Sequence, residues 1–473
     1  MAFPGAVVGR WSLVVSEFPA TGHGLPLRKQ VLRFAQDDNF LVCYRLTTDV
    51  MAEMINMPTA GSIVGRRSVS AWAPLGEPLF RSLWIASVVS YTGTWMQNVG
   101  AGWLMTQMTM NPLMVGLVQA AGALPVFLVI LPAGALADMV DRRRFLLLTQ
   151  GWMVLASATL GIMTLTSCVG PWVLLLFTFL LGLGAVMNDP AWQAITPELV
   201  PGEQHASAVA LNSAGFNVAR AVGPALGGVI VAAVGCGTTF LLNAFSFLGV
   251  ILFLYRWKRP IRSEPKTQRM WSAVGDGFAY VRESGLAKSI LLRTGTFSVA
   301  AVAMLALLPI IARPFGARGY GVMLGCFGMG ALLGAAAMPK MRERLSVDGL
   351  VAAAILVFAA MTFAAGRAGT FLLLCAVMLV AGMAWIGILA CLNVAAQTMC
   401  PTFLRARALS FYLLVLQGGM ALGATMSGAL AKRIGVPDAL AVTAVVLTLG
   451  VLALRGHRIT ASELELSPAV VRD

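Results

Sequence analysis

Charged residues are scarce in this chain of 473 residues. Only 11% are Asp, Glu, Lys or Arg, 58% are apolar, and the mean hydropathy is +0.81. A soluble globular protein of ordinary composition carries about 25% charged residues. One tract of 56 residues, 82–137, contains no Asp, Glu, Lys, Arg or His, and a second tract of 44 residues, 145–188, is equally uncharged. The chain therefore lacks the polar surface that a water-soluble protein of this size needs.

The residue sets of several chemistries are also missing. The seven cysteines form no CxxC pair and no metal-ligand spacing, and the three histidines lie outside the apolar tracts. These absences predict no metal site and disfavour an intramembrane enzyme. The Gly-rich run GMGALLGA follows no predicted strand, and no phosphate loop is present, so we expect no cofactor and no ATP-driven step. Cys168 and Cys236 fall in two connections of the same predicted face, where either a disulfide or two free thiols fits the sequence.

Apolar stretches long enough to cross a bilayer recur along the chain. A membrane-spanning helix needs ~20 mostly apolar residues. The 56-residue tract therefore holds two spans, joined by a turn at Asn111-Pro112, because proline starts helices and breaks them inside. The same measure gives twelve spans. They are predicted at 82–105, 112–137, 145–166, 171–195, 207–233, 238–255, 290–312, 319–338, 348–366, 370–396, 408–431 and 437–454.

Lysine and arginine are distributed unevenly over the connections between these spans. The connections after spans 2, 4, 6, 8 and 10 hold sixteen of them, and those after the odd-numbered spans hold five. Positive loops stay on the cytoplasmic side, so we expect a multi-pass protein of the bacterial inner membrane with both termini in the cytoplasm. The net charge of +14 is spread over short loops, which predicts no nucleic-acid binding.

The composition changes at both ends of the chain. Residues 1–78 carry thirteen charges and no long apolar run. We interpret them as a disordered extension, or as the product of a start codon assigned too early, with Met51, Met54 or Met57 as the real beginning. Residues 457–473 are predicted to form a polar cytoplasmic tail.

A basic segment, 256–289, divides the spans into halves of six, 79–255 and 290–456. Its apolar residues Trp271, Val274, Phe278 and Val281 recur at helical spacing. They predict a cytoplasmic linker with an amphipathic helix, lying either on the inner membrane surface or against the rest of the protein.

The two halves echo each other. GPALGG, Gly223–Gly228, has a counterpart in GATMSG, Gly423–Gly428, at an offset of 200 residues. Repeats of this kind are typical of transporters built from related bundles. The predicted fold is an all-α membrane protein with twelve transmembrane helices in two six-helix, pseudo-symmetric bundles.

One short loop carries a specific resemblance. The pattern from Gly134 through Leu136, Ala137, Asp138 and Asp141 to Arg142 and Arg143 resembles the signature loop of the major facilitator superfamily. GTWMQNVGAGWLM, NDPAWQAITPELVP and ALNSAGFNVARAVGPALGG are similar to the branch of enterobactin-exporter-like bacterial secretion transporters. The resemblance covers roughly residues 79–456.

The resemblance implies the major facilitator fold and a function to go with it. We expect a secondary active transporter that exports a small molecule, such as a siderophore, a drug or a metabolite, by alternating access as a proton antiporter. Its expected partners are membrane lipids, the substrate and a proton, and we expect a monomer. A lysophospholipid flippase and a non-transporting membrane sensor with the same fold are the alternatives.

Two motifs carry expected roles within this family. The resemblance implies that Gly134, Asp138, Asp141, Arg142 and Arg143 form a conformational latch, in which Asp138 faces Arg142 and the start of span 11. The alternative is a plain positive anchor. In the second half, Met338 or Pro339 stands in place of the acid.

The second motif lies in span 5. Gly223, Pro224, Gly227 and Gly228 resemble the motif associated with exporters, although its leading glycine is Ala219 here. Ordinary packing of small residues between helices is the simpler reading of the same pattern.

The remaining candidates are polar groups inside the spans. The resemblance implies that spans 1, 4, 7 and 10 line a central cavity, and each polar side chain there is either a substrate contact or a helix–helix hydrogen bond. The cavity candidates are Tyr91, Thr94, Trp95, Gln97, Asn98, Asn188, Gln193, Arg293, Asn393 and Gln397. A charge in the hydrocarbon costs ~2.5–3.5 kcal/mol even on lenient scales. Asp189 and Arg220 are therefore candidates for proton coupling, as a buried pair of acid and counter-charge, with static structural roles as the alternative.

Overall fold

The computed structural model describes residues 70–139, 141–257, 282, 284–398 and 405–456, without the side chains of 130–139, 190, 194, 197, 398 and 405–408. Within these segments twelve long α-helices and no strand are present, which confirms the predicted fold class. The helices are α1 Pro78–Met108, α2 Pro112–Met139, α3 Arg142–Leu165, α4 Pro171–Ile195, α5 His205–Val234, α6 Cys236–Arg256, α7 Gly285–Ile311, α8 Gly316–Arg344, α9 Val347–Arg367, α10 Phe371–Thr398, α11 Arg405–Ile434 and α12 Val436–Ala453.

Eleven of these helices are long and apolar enough to cross a membrane. The exception is α1, which has 31 residues but carries several polar side chains along its middle. Arg220 does not interrupt α5, and Asp438 lies in the first turn of α12, where it pairs with Arg367 at 2.9 Å. Both charged positions are thus accommodated within continuous helices.

Some predicted segments fall outside the described residues. The extension 1–78 is described only from residue 70, where a short 3₁₀ turn, Ala73–Gly76, precedes α1. The linker helix at 271–281 and the tail 457–473 are not described. The helix α7 begins at Gly285, five residues before the predicted span, because Ser284 caps it by accepting the amide of Ala287 at 3.2 Å.

The short turns follow from local chemistry. Asn111 ends the first turn as predicted, and its side-chain oxygen accepts the amide of Leu113 at 3.1 Å at the start of α2. Gly235 alone joins α5 to α6, and Gly435 alone joins α11 to α12; their φ values are +89° and +85°. Only glycine takes this left-handed region without strain. The two turns lie 200 residues apart, so the sequence repeat extends to the backbone.

The helices form two bundles, α1–α6 and α7–α12, that touch mainly along α2 with α11 and along α5 with α8. Glycines make both seams close. A Cβ on Gly228 of α5 would come 2.7 Å from the Cα of Gly321 in α8. A Cβ on Gly428 of α11 would come 2.9 Å from the Cα of Leu113 in α2. Residues 228 and 428 therefore occupy equivalent places in the two halves.

We use two names for the ends of the helical assembly. The basic face carries the connections α2–α3, α4–α5, α6–α7, α8–α9 and α10–α11, and the opposite face carries the others. At the opposite face Arg313, between α7 and α8, donates to the backbone carbonyls of Thr106 and Thr109 at the end of α1, at 3.1 and 2.7 Å. Arg313 also donates to the Sδ of Met110, just after α1, at 2.9 Å. These hydrogen bonds join the two bundles, so the structure is closed at the opposite face.

Candidate functional site

Aromatic rings and one arginine converge at the middle of the assembly. Tyr91 of α1 packs edge-on against Phe216 of α5 with ring centroids 5.2 Å apart, and Trp95 lies 6.4 Å from the same ring. The guanidinium of Arg220 lies 5.8 Å from the ring centroids of both Trp95 and Phe327, the latter on α8. We call these five residues the Arg220 cluster. It joins both bundles at mid-depth through cation–π contacts.

Polar side chains are accessible beside this cluster. Asp189 and Gln193 of α4 and Asn98 of α1 are exposed, and Asp189 is close enough to Tyr91 to interact with it electrostatically. Asn98 lies one helical turn from Gly102, whose missing Cβ makes room for the Tyr320 hydroxyl of the other bundle. This face of α1 therefore points toward the second bundle, and we call the region between the bundles beside these exposed side chains the gap.

The predicted pair of Asp189 and Arg220 is not formed. Their depths do match, because Asn212 of α5 donates to the hydroxyl of Thr196 at the end of α4, at 3.0 Å, and both charges lie ~11–12 Å beyond that point. Arg220 instead faces Trp95 and Phe327, and among the described residues no ion pair joins it to Asp189. Equal depth in neighbouring helices therefore does not bring these two charges together.

Two cavity candidates are structural. Gln97 is buried, and its carbonyl oxygen accepts from Ser157 of α3 and from Asn243 of α6, both at 2.7 Å. Asn188 accepts from the amide of Gln150 of α3 at 3.0 Å. Their side-chain oxygens are thus used between helices of one bundle, and the cavity prediction for Gln97 and Asn188 is corrected to the helix–helix alternative.

Arg293 also lies away from the gap between the bundles. It is buried among α7, α9 and α12, pairs with Asp348 at 3.2 Å and donates to the carbonyl of Leu454 at 3.0 Å. The prediction that it faces the central cavity was wrong. The sequence position of an arginine in α7 gives its depth in the membrane. The direction in which its side chain points depends on the position of the acid that pairs with it.

Three other candidates are placed by local hydrogen bonds. The hydroxyl of Thr94 donates to the carbonyl of Ser90, one turn earlier in α1, at 3.0 Å. In α10 the amide of Gln397 donates to the side-chain oxygen of Asn393 at 2.6 Å, and both are half-buried. These contacts leave part of each side chain accessible, so their role in substrate binding stays a prediction.

The signature loop is described only in part. Gly134 and Asp138 belong to α2, but their side chains are outside the described set. Asp141 caps α3 by accepting the amide of Arg144 at 2.9 Å, and Arg142 pairs with Glu198, after α4, at 3.2 Å. The latch through Asp138 therefore stays a prediction.

Arg143 has a role that the sequence did not indicate. Its guanidinium donates to the carbonyls of Leu254 and Tyr255 at the end of α6, at 2.6 and 2.7 Å. The last carbonyls of a helix have no partner within it. Arg143 supplies one from α3 and ties the two helices together at the basic face.

The glycines of the span 5 motif make close contacts on two sides. A Cβ on Gly223 would come 2.7 Å from the Cβ of Trp95, and one on Gly227 would come 2.8 Å from the Cα of Met96. Gly228, as described above, faces α8, and Pro224 lies within the continuous helix α5. These residues hold α5 against α1 on one side and the second bundle on the other, which supports the packing role; the export role is a proposal.

Several functional residues were missed by sequence reasoning. In the sequence Arg313 is one of the positive charges of a loop, and Glu198 lies 56 residues from Arg142, with which it pairs. Phe216 and Phe327 were hidden among the apolar residues of their spans. The sequence does hold one indication of the two rings, because each lies within a turn or two of a glycine that faces another helix.

Two further expectations concern thiols and metals. Cys168 and Cys236 are free thiols, and Cys236 lies 3.7 Å from the side-chain oxygen of Gln107. A disulfide between them is therefore not formed. In the described part of the chain no cluster of His, Cys, Asp and Glu could hold a metal ion.

Twelve helices in two related bundles, with polar and aromatic groups in the gap, define a membrane protein of the major facilitator type. Residues 69–470 match the family model described as transmembrane secretion effector. The chain belongs to this family.

Among solved structures, the fold is similar to that of a bacterial homologue of the human lysosomal transporter Spinster, in an inward-facing and occupied conformation. The TM-score is 0.65 at 14% identity, over 82% of this chain and 99% of that one. The nucleoside transporter NupG gives a TM-score of 0.63 at 15% identity, over 80% of this chain and all of NupG.

Curated relatives are similar in sequence. The staphyloferrin A transporter of Staphylococcus aureus is 32% identical over 36% of this chain and 43% of its own length. The enterobactin exporter EntS of Salmonella typhimurium is 27% identical over 55% of this chain and 63% of its own length. The matched part thus spans less than two thirds of either relative. The multidrug efflux pump Tap of Mycolicibacterium fortuitum is 26% identical over 81% of this chain and 97% of its own length.

Proposed function

We propose that this protein is a secondary active exporter of a small, bulky and partly polar molecule, driven by proton antiport. The observation that best supports this proposal is the gap between the bundles, where the Arg220 cluster lies beside an accessible carboxylate, Asp189. The names of the relatives add support, since they describe transport of siderophores and efflux of drugs.

The cluster supports a class of substrate. Its aromatic rings offer flat apolar surface, and Arg220 offers a positive charge held over two of them. Such a site suits a molecule with an aromatic or other planar group and a carboxylate or phenolate. Gln193 and Asn98, which are exposed nearby, add hydrogen-bonding groups that can orient it.

The contacts at the two faces support an alternating cycle. In the state described here, Arg313 closes the opposite face, which we take to be the outer one because the basic face is predicted to be cytoplasmic. The cavity in this state then opens inward and loads substrate. In the other state, the bond of Arg313 to α1 breaks and Asp138 latches the basic face. Each closure would thus be made by a charge on one bundle and a helix end on the other.

Asp189 is the proposed coupling group. Its carboxylate is accessible in the gap and makes no ion pair with a described residue. A carboxylate placed in this way can exchange its proton with either side as the cavity changes face. Arg220 contributes to the substrate site and not as a fixed counter-ion.

The test compares secreted and retained metabolites of cells with and without the gene, each with and without a protonophore. We expect at least one compound to accumulate inside cells that lack the protein, and this difference to vanish with the protonophore. Equal metabolite profiles in both strains would contradict export and favour a sensor. A difference that persists with the protonophore would support export but contradict proton coupling.

A further inference from the structure

A second cavity lies outside the gap between the bundles. It has a volume of about 280 Å³ and lies among α7, α9 and α12 near the basic face. Arg293, Asp348 and Arg455 provide its charged lining, and the rest is mainly apolar, including Ile355 and Leu356. Two arginines and one aspartate give this lining a net charge of +1.

One arginine of the cavity has an unused donor. Arg293 is only 9% exposed, and its Nε is buried without a hydrogen-bond partner. Its other two nitrogens are taken by Asp348 and by the carbonyl of Leu454. A buried donor without a partner is costly. Together with the exposed Arg455, it makes the charged end of the cavity suited to an anion.

An apolar groove continues from the cavity along α9 and α12. The groove has a volume of about 620 Å³ and shares Leu356 with the cavity. Ten of its eleven lining residues are apolar, and the exception, Thr448, donates its hydroxyl to the carbonyl of Ala444 at 2.9 Å. Nothing in the groove requires a polar ligand.

The length of the combined feature matches one leaflet of a bilayer. From Val442, in the groove, to Leu454, which follows α12 in the cavity, the chain advances twelve residues, which is ~18 Å at 1.5 Å per residue. One leaflet contributes ~15 Å of hydrocarbon, half of the ~30 Å core. The charged end lies at the basic face, where the last turn of α12 ends and where we expect lipid headgroups.

The two halves of the protein differ at this place. In the first half Arg143, the second residue of α3, reaches the end of α6 directly. The second residue of α9 is Asp348, which instead holds Arg293 of α7 against the end of α12. The arginine is thus drawn inward from a neighbouring helix. The cavity lies where the repeat departs from symmetry.

We propose that this cavity and groove bind one anionic phospholipid of the basic-face leaflet, with its phosphate at Arg455 and Arg293 and one acyl chain along α9 and α12. The charge complements a phosphate, the groove fits an acyl chain, and α9 and α12 pack on helices of their own bundle, so this side faces lipid. The site is separate from the proposed export pathway.

The test measures lipid retention by native mass spectrometry. The purified protein in detergent is titrated with phosphatidylglycerol or with phosphatidylcholine of the same acyl chains. We expect one phosphatidylglycerol per chain to be retained about tenfold more strongly, which is 1.4 kcal/mol. Equal retention of the two lipids would overturn the proposal.

Two variants locate the site. Ala352→Trp fills the cavity, whose lining includes Ala352, and Arg455→Ala removes the exposed charge without altering the packed interior. Each is expected to abolish the preference for phosphatidylglycerol. Arg256→Ala, which removes an exposed arginine at the end of α6, is the matched control and is expected to keep it. Loss of the preference in the control, or its persistence in either site variant, would refute the assignment. A dimer that Ala352→Trp abolishes would assign this face to a second copy instead.

Discussion

Removal of Arg313 should open the opposite face. In the structure its guanidinium donates to two carbonyls at the end of α1, those of Thr106 and Thr109. Hydrogen bonds of a charged donor contribute ~1.5–3 kcal/mol each when buried. Arg313 is only half-buried, so solvent screening reduces this contribution. We expect a total of about 2 kcal/mol, which corresponds to an approximately thirtyfold shift between the two states.

The assay measures accessibility from each side of the membrane. A cysteine is placed at Asn98, which lies in the gap, in a variant free of other cysteines and reconstituted in vesicles. An impermeant maleimide should label it from the basic face. After Arg313→Ala, labelling from the opposite face should rise about thirtyfold, and Arg313→Lys should lie between, because lysine keeps the charge but not the fork of donors.

Arg318→Ala is the matched control. Arg318 lies five residues further along, is exposed, and makes no contact with α1 among the described hydrogen bonds. It should leave the labelling unchanged. If Arg313→Ala behaves like Arg318→Ala, the closure does not depend on this arginine and the reasoning is refuted.

Three further predictions follow from contacts of the described residues. Asp189→Asn should abolish export against a gradient and spare downhill exchange in vesicles; uphill export that survives would remove Asp189 from coupling. Gly228→Ala should destabilise the protein by ~1–3 kcal/mol through overpacking of α5 on α8, seen as a lower melting temperature in detergent. The control Gly249→Ala, where nothing lies within 4 Å, should leave the melting temperature unchanged. Equal melting temperatures of the two variants would show that α5 and α8 move apart to accommodate the methyl group. Arg143→Met should lower the free energy of unfolding by ~1–3 kcal/mol, because it leaves two carbonyls of α6 unpaired. The measurement is again the melting temperature in detergent, and an unchanged melting temperature would mean that water replaces the guanidinium.

The helices and their pairing into halves were accessible from the sequence. Hydrophobicity fixes the spans because a backbone in hydrocarbon must satisfy its own hydrogen bonds. The offset of 200 residues between Gly228 and Gly428 predicted equivalent positions, and the structure confirms them at both seams. Glycine at these positions reports a close helix contact directly, since any side chain would prevent it.

The site was less accessible because polarity gives the depth of a residue but not its direction. Gln97, Asn188 and Arg293 all lie at plausible depths, yet each is turned toward its own bundle by a partner on a distant stretch of sequence. Arg220 stands out in the sequence as a charge inside a span, but its partners in the structure are rings, which carry no charge pattern in the sequence. Composition cannot distinguish such a ring from the surrounding apolar residues.

The seam between α5 and α8 has a consequence for how such a protein changes over evolutionary time. Near Gly228 and Gly321 the two bundles meet backbone to backbone, so this contact is formed by main-chain atoms that are the same whatever side chains surround the gap. Substitutions of the side chains around the gap therefore leave the backbone contact between α5 and α8 unchanged. Such a contact can persist over evolution while the side chains that line the gap diversify.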